Sequence, residues 1–420
     1  MTGDIYDQLA NALDRLPNGF PRTPSNIEAK ILIKIFTPEE AELAAQLRGE
    51  MEPVDAIAER FGLPAREAMS RLIDMARRGL VWYEKRAGKH CFRLAPFVVG
   101  IYEAQLGNLD HELAHLVELY MAEGGAVGIM KPQPAIHRVV PAQSAAKSEW
   151  ILPYDDVRAI LMDSKTFRVR DCICRKERSL LGHPCELPTR ICLSFSPIEG
   201  PHGPDDISQA EALALLDKAE EVGLVHTVSN VMKGVGYVCN CCSCCCAILR
   251  GITEYGIENS VARAGYYAVI DPDECLGCGT CVVRCQVHAI SEQDGVSVVD
   301  RERCIGCGLC VTGCPNDVAQ LQRRPEAEIV HPPVDFAAWE HERLVNVRLR
   351  LHHCLRFHGH QVGAAVGGKF VGWLRQFPSA GAVVRSLERP DYQPHQRGDG
   401  QHQFHHHRHR FGDSRYGHEC

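Results

Sequence analysis

Cysteine spacing is the feature of this chain that can do chemistry. Cys275, Cys278 and Cys281 are followed by Cys285 in a C-x2-C-x2-C-x3-C run, and the run returns at Cys304, Cys307, Cys310 and Cys314. Thiolates at such short intervals are ligands for soft metal ions. Glycines keep the loops between them tight: Gly277 and Gly279 in the first repeat, Gly306 and Gly308 in the second. Three thiolates on one such loop reach three irons of one cubane, and the x3 step opens a helix that carries the fourth thiolate away. Zinc sites pair two C-x2-C knuckles, which leaves four cysteines in one run, twice over, unexplained.

With Pro315 after its last cysteine, the run resembles that of bacterial two-cluster ferredoxins. The resemblance implies two [4Fe–4S] clusters with crossed ligation. Cys275, Cys278 and Cys281 would share one with Cys314, and Cys304, Cys307 and Cys310 would share the other with Cys285. Gln286 stands where that family usually has proline, and His288 follows closely. Neither removes a ligand.

Ten more thiols lie upstream. Cys172 and Cys174 sit in Arg170-Asp171-Cys172-Ile173-Cys174-Arg175; Cys185 and Cys192 follow; then Cys239, Cys241, Cys242, Cys244, Cys245 and Cys246 fall within eight residues. Adjacent side chains point to opposite sides of a strand and about 100° apart on a helix, so the six cannot all face one centre. Two or three of them are expected to join Cys172 and Cys174, read as neighbours on one face of a strand. A third iron–sulfur cluster, a zinc site and redox-active free thiols or disulfides all suit such a set. Arg170, Arg175 and Lys176 beside it favour thiolates or an anionic cluster. With Cys172-Ile173-Cys174-Arg175 and Cys241-Cys242-Ser243-Cys244-Cys245 in place, Trp150 to Arg324 resembles bacterial and archaeal proteins known only as 4Fe-4S-binding proteins. That resemblance implies a redox role and names no substrate.

The elements that position these thiols read as an α+β multidomain chain. Residues 1–100 have the order of a winged-helix-like unit. Its helices start at Thr37-Pro38-Glu39-Glu40, at about Val54 and at Pro64, and strands at Leu80–Tyr83 and His90–Leu94 flank a Gly88 turn. Residues 101–149 read as a helix (Tyr102 to Met121) and a proline-bearing linker. A cysteine-rich α+β domain spans 150–265, with a helix from the capping box Ser208/Glu211 to Gly223. A dicluster ferredoxin-like module spans 266–325. Residues 326–420 read as a disordered tail, since twelve of the 21 histidines lie beyond residue 340 without any helical or strand period. A histidine-based metal store (His405, His406, His407, His409) or an out-of-frame origin would also explain that composition.

Eighteen of the 21 cysteines lie between Cys172 and Cys314, which is the clustering of metal ligation, and a reducing compartment is implied. Cys91, Cys354 and Cys420 stand apart and are read as incidental. The start of the chain lacks a basic-then-apolar leader and no apolar run is long enough to span a bilayer, so a cytoplasmic location without a membrane span is expected. A formal charge of -7 argues against general nucleic-acid affinity. The leading expectation is therefore an electron-transfer protein or the electron-entry component of an oxidoreductase, meeting redox partner proteins. A redox-responsive DNA-binding regulator is the alternative. It would use Arg66, Arg71, Arg77 and Arg78 on the third helix and a wing of Lys85, Arg86 and Lys89, with Glu67 and Asp74 opposing it. An oxidoreductase with substrate at an open upstream cluster is the other. No Walker loop, dinucleotide fingerprint or nucleophile elbow is present.

Overall fold

A computed structural model describes residues 2–146, 151–200 and 202–346. Near the N-terminus, helices Pro38–Ala45, Val54–Phe61 and Ala65–Arg77 precede a small antiparallel sheet. Its strands are β1 (Glu52–Pro53), β2 (Val81–Arg86) and β3 (Lys89–Leu94), in the order β1-β3-β2. Thr37 and Glu40 form the reciprocal capping box expected of their spacing. Ile57, Leu72, Met75 and Phe92 are buried and close the unit. Two earlier helices, Thr2–Asp14 and Ile27–Ile35, extend this core through Leu9, Leu13, Ile31 and Leu32. No helix among the described residues is long and apolar enough to cross a membrane.

The middle of the chain is a six-stranded sheet in the order β5-β6-β8-β7-β4-β9. Its strands are β4 (His137–Val140), β5 (Thr166–Asp171), β6 (Arg190–Ser196), β7 (Val225–Ser229), β8 (Tyr237–Cys241) and β9 (Val261–Ala262). Strand β4 corrects the reading of 124–149 as linker. It pairs with β7 and β9, and all four of its residues are buried. Covered on both faces, it shows no alternation to read. The expected single helix from Tyr102 to Met121 is also broken. Helix His111–Tyr120 starts afresh at Asp110, whose carboxylate accepts from Leu113 N at 2.8 Å. Helix Gln209–Glu221 carries the Ser208/Glu211 capping box and buries Ala212, Leu216 and Ala219.

Cys172 and Cys174 do not lie on a strand. Strand β5 ends at Asp171, Cys172 caps helix Ile173–Leu180, and Cys174 is in its first turn. That helix is amphipathic in charge pattern, yet it buries Arg175 and Glu177. The charges therefore hid a face that packs inward.

Two antiparallel pairs build the last module: β10 (Tyr266–Ile270) with β13 (Ala319–Arg323), which closes it end to end, and the hairpin of β11 (Ile290–Gln293) with β12 (Val296–Val299). The chain stays ordered past 325, which corrects the start of the expected tail. Residues 336–346 are helical, with Trp339 and Arg343 buried. Trp339 Nε1 donates to Ala135 O at 2.9 Å. The Arg343 guanidinium donates to Pro17 O (2.6 Å), Pro132 O (2.7 Å), Pro134 O (2.6 Å) and Ile129 O. The remainder of the expected tail, including His405–His409, lies outside the described residues. Arg343→Met should leave several buried carbonyls unpaired and cost about 3 kcal/mol in urea unfolding of the full chain. A change below about 0.5 kcal/mol would show that this helix does not hold the N-terminal and middle segments together.

Candidate metal centres

Glycine positions explain the shape of the two downstream loops. Gly277 (φ +63°) and Gly306 (φ +74°) occupy equivalent places between the first and second cysteines of each repeat. A Cβ on Gly277 would lie 2.2 Å from Gly295 O, and one on Gly306 would lie 2.4 Å from Tyr266 O. Each loop is thus pressed against a strand or turn of the module. Short helices Thr280–Arg284 and Leu309–Thr312 follow and are tied together by Arg284 Nε donating to Leu309 O at 2.8 Å.

The structure gathers the eight thiols in one region of the module, with Cys310 also within electrostatic reach of Cys281. Cys275, Cys278, Cys281 and Cys314 line one cavity, together with Leu276, Ser297 and Pro315. Cys304, Cys307, Cys310 and Cys285 lie within electrostatic reach of one another. The sets differ in setting. Backbone hydrogen bonds at Cys275 and the Thr280 hydroxyl at Cys278 lower those thiol pKa values, whereas burial raises Cys285 and Cys307 and pushes Cys310 up to about 12. Residues 268–321 match the family described as 4Fe-4S dicluster domain. This segment is an iron–sulfur binding domain. No curated protein matches the chain.

The ten upstream thiols also divide. Cys185, Cys242, Cys244 and Cys245 have all their sulfurs within 4.8 Å of one another. Cys185 Sγ lies 3.9 Å from Cys242 Sγ and 3.6 Å from Cys244 Sγ, and Cys244 lies 3.7 Å from Cys245. A tetrahedral ion with metal–sulfur bonds of about 2.3 Å has sulfur–sulfur edges of about 3.8 Å. The observed spacings fit one such ion.

The other six, Cys172, Cys174, Cys192, Cys239, Cys241 and Cys246, lie near enough to shift one another's ionisation. Cys172 and Cys241 are each held below the ordinary thiol range by the thiols beside them, Cys174 and Cys192 for the first and Cys239 and Cys246 for the second. The Thr227 hydroxyl lies 3.5 Å from Cys241 Sγ and 3.4 Å from His137 Nδ1, and Tyr237 OH lies 2.9 Å from His137 Nε2. Burial pushes Glu103 up to about 7, and the thiols of Cys246 and Cys172 add to the shift.

Between the two upstream sets lies the buried Arg175 guanidinium. Its Nη2 donates to Asn240 O at 3.1 Å and to Cys242 Sγ at 3.4 Å, while Nε and Nη1 are buried without a hydrogen-bond partner. Burial opposes its charge, but Cys242, Cys172 and Cys241 hold its pKa above the usual arginine range.

Gln286 acquires a role that its sequence position alone did not reveal. Its Oε1 accepts from Ser243 N (2.9 Å) and Ser243 Oγ (3.2 Å), and its Nε2 donates to Gly223 O at 3.1 Å. Proline here would have neither group. The residue after Cys285 therefore grips the residue between Cys242 and Cys244. Gly277→Ala and Gly306→Ala should lower thermal stability more than Gly279→Ala, where φ is positive but nothing lies within 4 Å of a Cβ. Equal losses at the three positions would show that the loops are not pressed against their neighbours as described.

Proposed function

We propose that this chain is an iron–sulfur electron-transfer protein with two [4Fe–4S] clusters in the dicluster domain. One would be held by Cys275, Cys278, Cys281 and Cys314, the other by Cys304, Cys307, Cys310 and Cys285. The observation that carries the reading is the cavity that joins three thiols of the first repeat to Cys314 of the second. Such clusters supply one-electron redox chemistry; the chain binds, spaces and shields them.

The surroundings of the two thiol sets give the domain a direction. Leu276, which lines the cavity of the first set, is 75% exposed, so that set lies near the surface, where a redox partner protein would reach it. The second set is turned inward, and Gln286 links its Cys285 to the four-thiol site. We assign a single zinc ion to Cys185, Cys242, Cys244 and Cys245, because their spacing suits one tetrahedral thiolate ion.

The winged-helix-like order of the N-terminal unit keeps DNA binding as an alternative, with part of its basic charge already paired. Arg71 pairs with Glu67 at 2.5 Å, Arg77 with Asp74 at 3.0 Å, and Arg78 with Glu40 at 2.5 Å. These three cations at helix Ala65–Arg77 and its C-cap are answered by carboxylates, as is Arg86 by Glu84, whereas Arg66, Lys85 and Lys89 show no such pair among the described residues.

Electron paramagnetic resonance of the reduced, anaerobically purified chain tests the ligand sets. Cys314→Ser should perturb the same cluster signal as Cys275→Ser, and Cys285→Ser the same signal as Cys304→Ser. If Cys314→Ser instead follows Cys304→Ser, the crossed assignment is wrong. For the zinc site, joint replacement of Cys242 and Cys244 by serine should remove one zinc per chain. Wild-type protein without zinc would refute that part.

A further inference from the structure

We propose that Gln286 is a positioning residue for the second cluster, and that through it the occupancy of the four-thiol site sets that cluster's reduction potential. The proposal deepens the function proposed above and rests on its cluster and zinc assignments.

Both chain neighbours of Cys285 are bound outside the dicluster domain. Arg284 donates to Glu221 O (2.9 Å) and Glu220 O (2.8 Å) at the end of helix Gln209–Glu221. Gln286 Nε2 donates to Gly223 O, just past the same helix, at 3.1 Å. These bonds fasten the segment to the sheet domain and are indifferent to any ion. The bonds to Gln286 Oε1 are not. It accepts from Ser243 N (2.9 Å) and Ser243 Oγ (3.2 Å). Ser243 lies between Cys242 and Cys244, two of the four thiols whose sulfurs all lie within 4.8 Å of one another. Its N–H points where the turn over Cys242–Cys246 directs it, and Cys246 N closes that turn by donating to Cys242 O at 3.0 Å. Thiolates packed this closely repel one another unless a cation holds them. An ion therefore fixes the turn, and its loss lets the Ser243 N–H swing away from Gln286.

The other end of the linkage reaches a cluster ligand. Ala289 N donates to Cys285 Sγ at 3.1 Å. The three residues between them have little slack. His288 N donates to Cys285 O at 3.2 Å, His288 has φ +53°, and Arg303 Nε donates to Val287 O at 2.5 Å. Displacing Gln286 thus displaces the donor at Ala289 relative to Cys285 Sγ. An N–H donor to a ligating sulfur favours the reduced, more negative cluster, so weakening it makes the potential more negative. Exposure suits a control of this kind: Cys244 is exposed, whereas Cys285 is half-buried. An ion in the four-thiol site can exchange with solution while the cluster stays in place.

A redox titration of the anaerobically purified full-length protein, followed by electron paramagnetic resonance, tests the proposal. Wild type is compared with Gln286→Leu, with Gln286→Pro, with the zinc-free pair Cys242→Ser/Cys244→Ser, and with that pair combined with Gln286→Leu. The signal that Cys304→Ser alters marks the second cluster. Its midpoint should become more negative in both Gln286 variants, which keep their zinc, and move the same way in the zinc-free pair. The combined variant should shift no further than the larger of its parts. The first cluster should keep its wild-type midpoint throughout. Coupling is reciprocal, so Gln286→Leu should also bind zinc about fivefold more weakly in competition with a chelator. An unchanged second-cluster midpoint in the zinc-free pair or in the Gln286 variants would overturn the proposal. So would equal shifts of both clusters, or shifts that add in the combined variant, which is what the ion's charge acting through space would give. Wild type without zinc, or without two cluster signals, would overturn the function proposed above and this inference with it, and the metal count separates those outcomes from the others. If Gln286→Leu does not fold, Gln286→Pro takes its place alone and in the combination.

Discussion

Alternate side chains of a strand face opposite ways, and the arrangement of this protein's thiols depends on that constraint. Cys239 and Cys241 on β8 face one side together, while Asn240 between them turns away to donate to Ile191 O at 2.7 Å. Once the strand ends, the chain turns, so Cys242, Cys244 and Cys245 meet Cys185, while Cys246 lies near Cys241 instead. Six cysteines in eight residues are thereby divided between two places without a long loop. The β6–β8 pairing brings Cys192 to the same side. The sheet is thus a device for sorting ligands.

Buried charge is the second organising influence. Arg175 lies within reach of Cys242, Cys172 and Cys241, whose thiolate forms hold its charge and are in turn screened from one another by it. The same economy recurs farther out. Arg250 is buried and pairs with Glu118 at 2.5 Å and Glu254 at 2.7 Å, and Arg324 donates to Cys304 O at 2.9 Å beneath the second downstream loop. Arg284 ties the dicluster domain to the sheet domain through Glu221 O (2.9 Å) and Glu220 O (2.8 Å). Arginine suits these places because its fork can satisfy several carbonyls at once and stays charged when buried.

Local signals carried much of the structure. The capping boxes at Thr37 and Ser208, the glycine-bearing loops and the doubled cysteine run could all be read from neighbours in sequence. What escaped depended on distant partners. Strand β4 is buried on both faces, so its four residues carry no period. Helix 336–346 is fixed by carbonyls of Pro17, Pro132 and Pro134, which lie far away in the chain. The turn from strand to helix at Cys172 was hidden because a C-x-C spacing suits one face of a strand, while the arginine and glutamate that follow are buried instead of exposed. At the upstream site, the sequence required that the six clustered cysteines divide. It could not say that Cys185 joins one group and Cys192 the other, because that follows from tertiary placement.

The parts combine: one thiol set near the surface beside the exposed Leu276, a second set more buried, and Gln286 joining Cys285 to Ser243 beside the upstream thiols. The central claim is that the chain carries electrons. A reductive titration of the anaerobically purified full-length protein, followed by its visible absorbance, tests this most directly. The account predicts reversible bleaching with uptake of at least about two electrons per chain, one for each cluster of the dicluster domain, and full recovery on reoxidation. Protein that retains its iron yet takes up no electrons reversibly would contradict it.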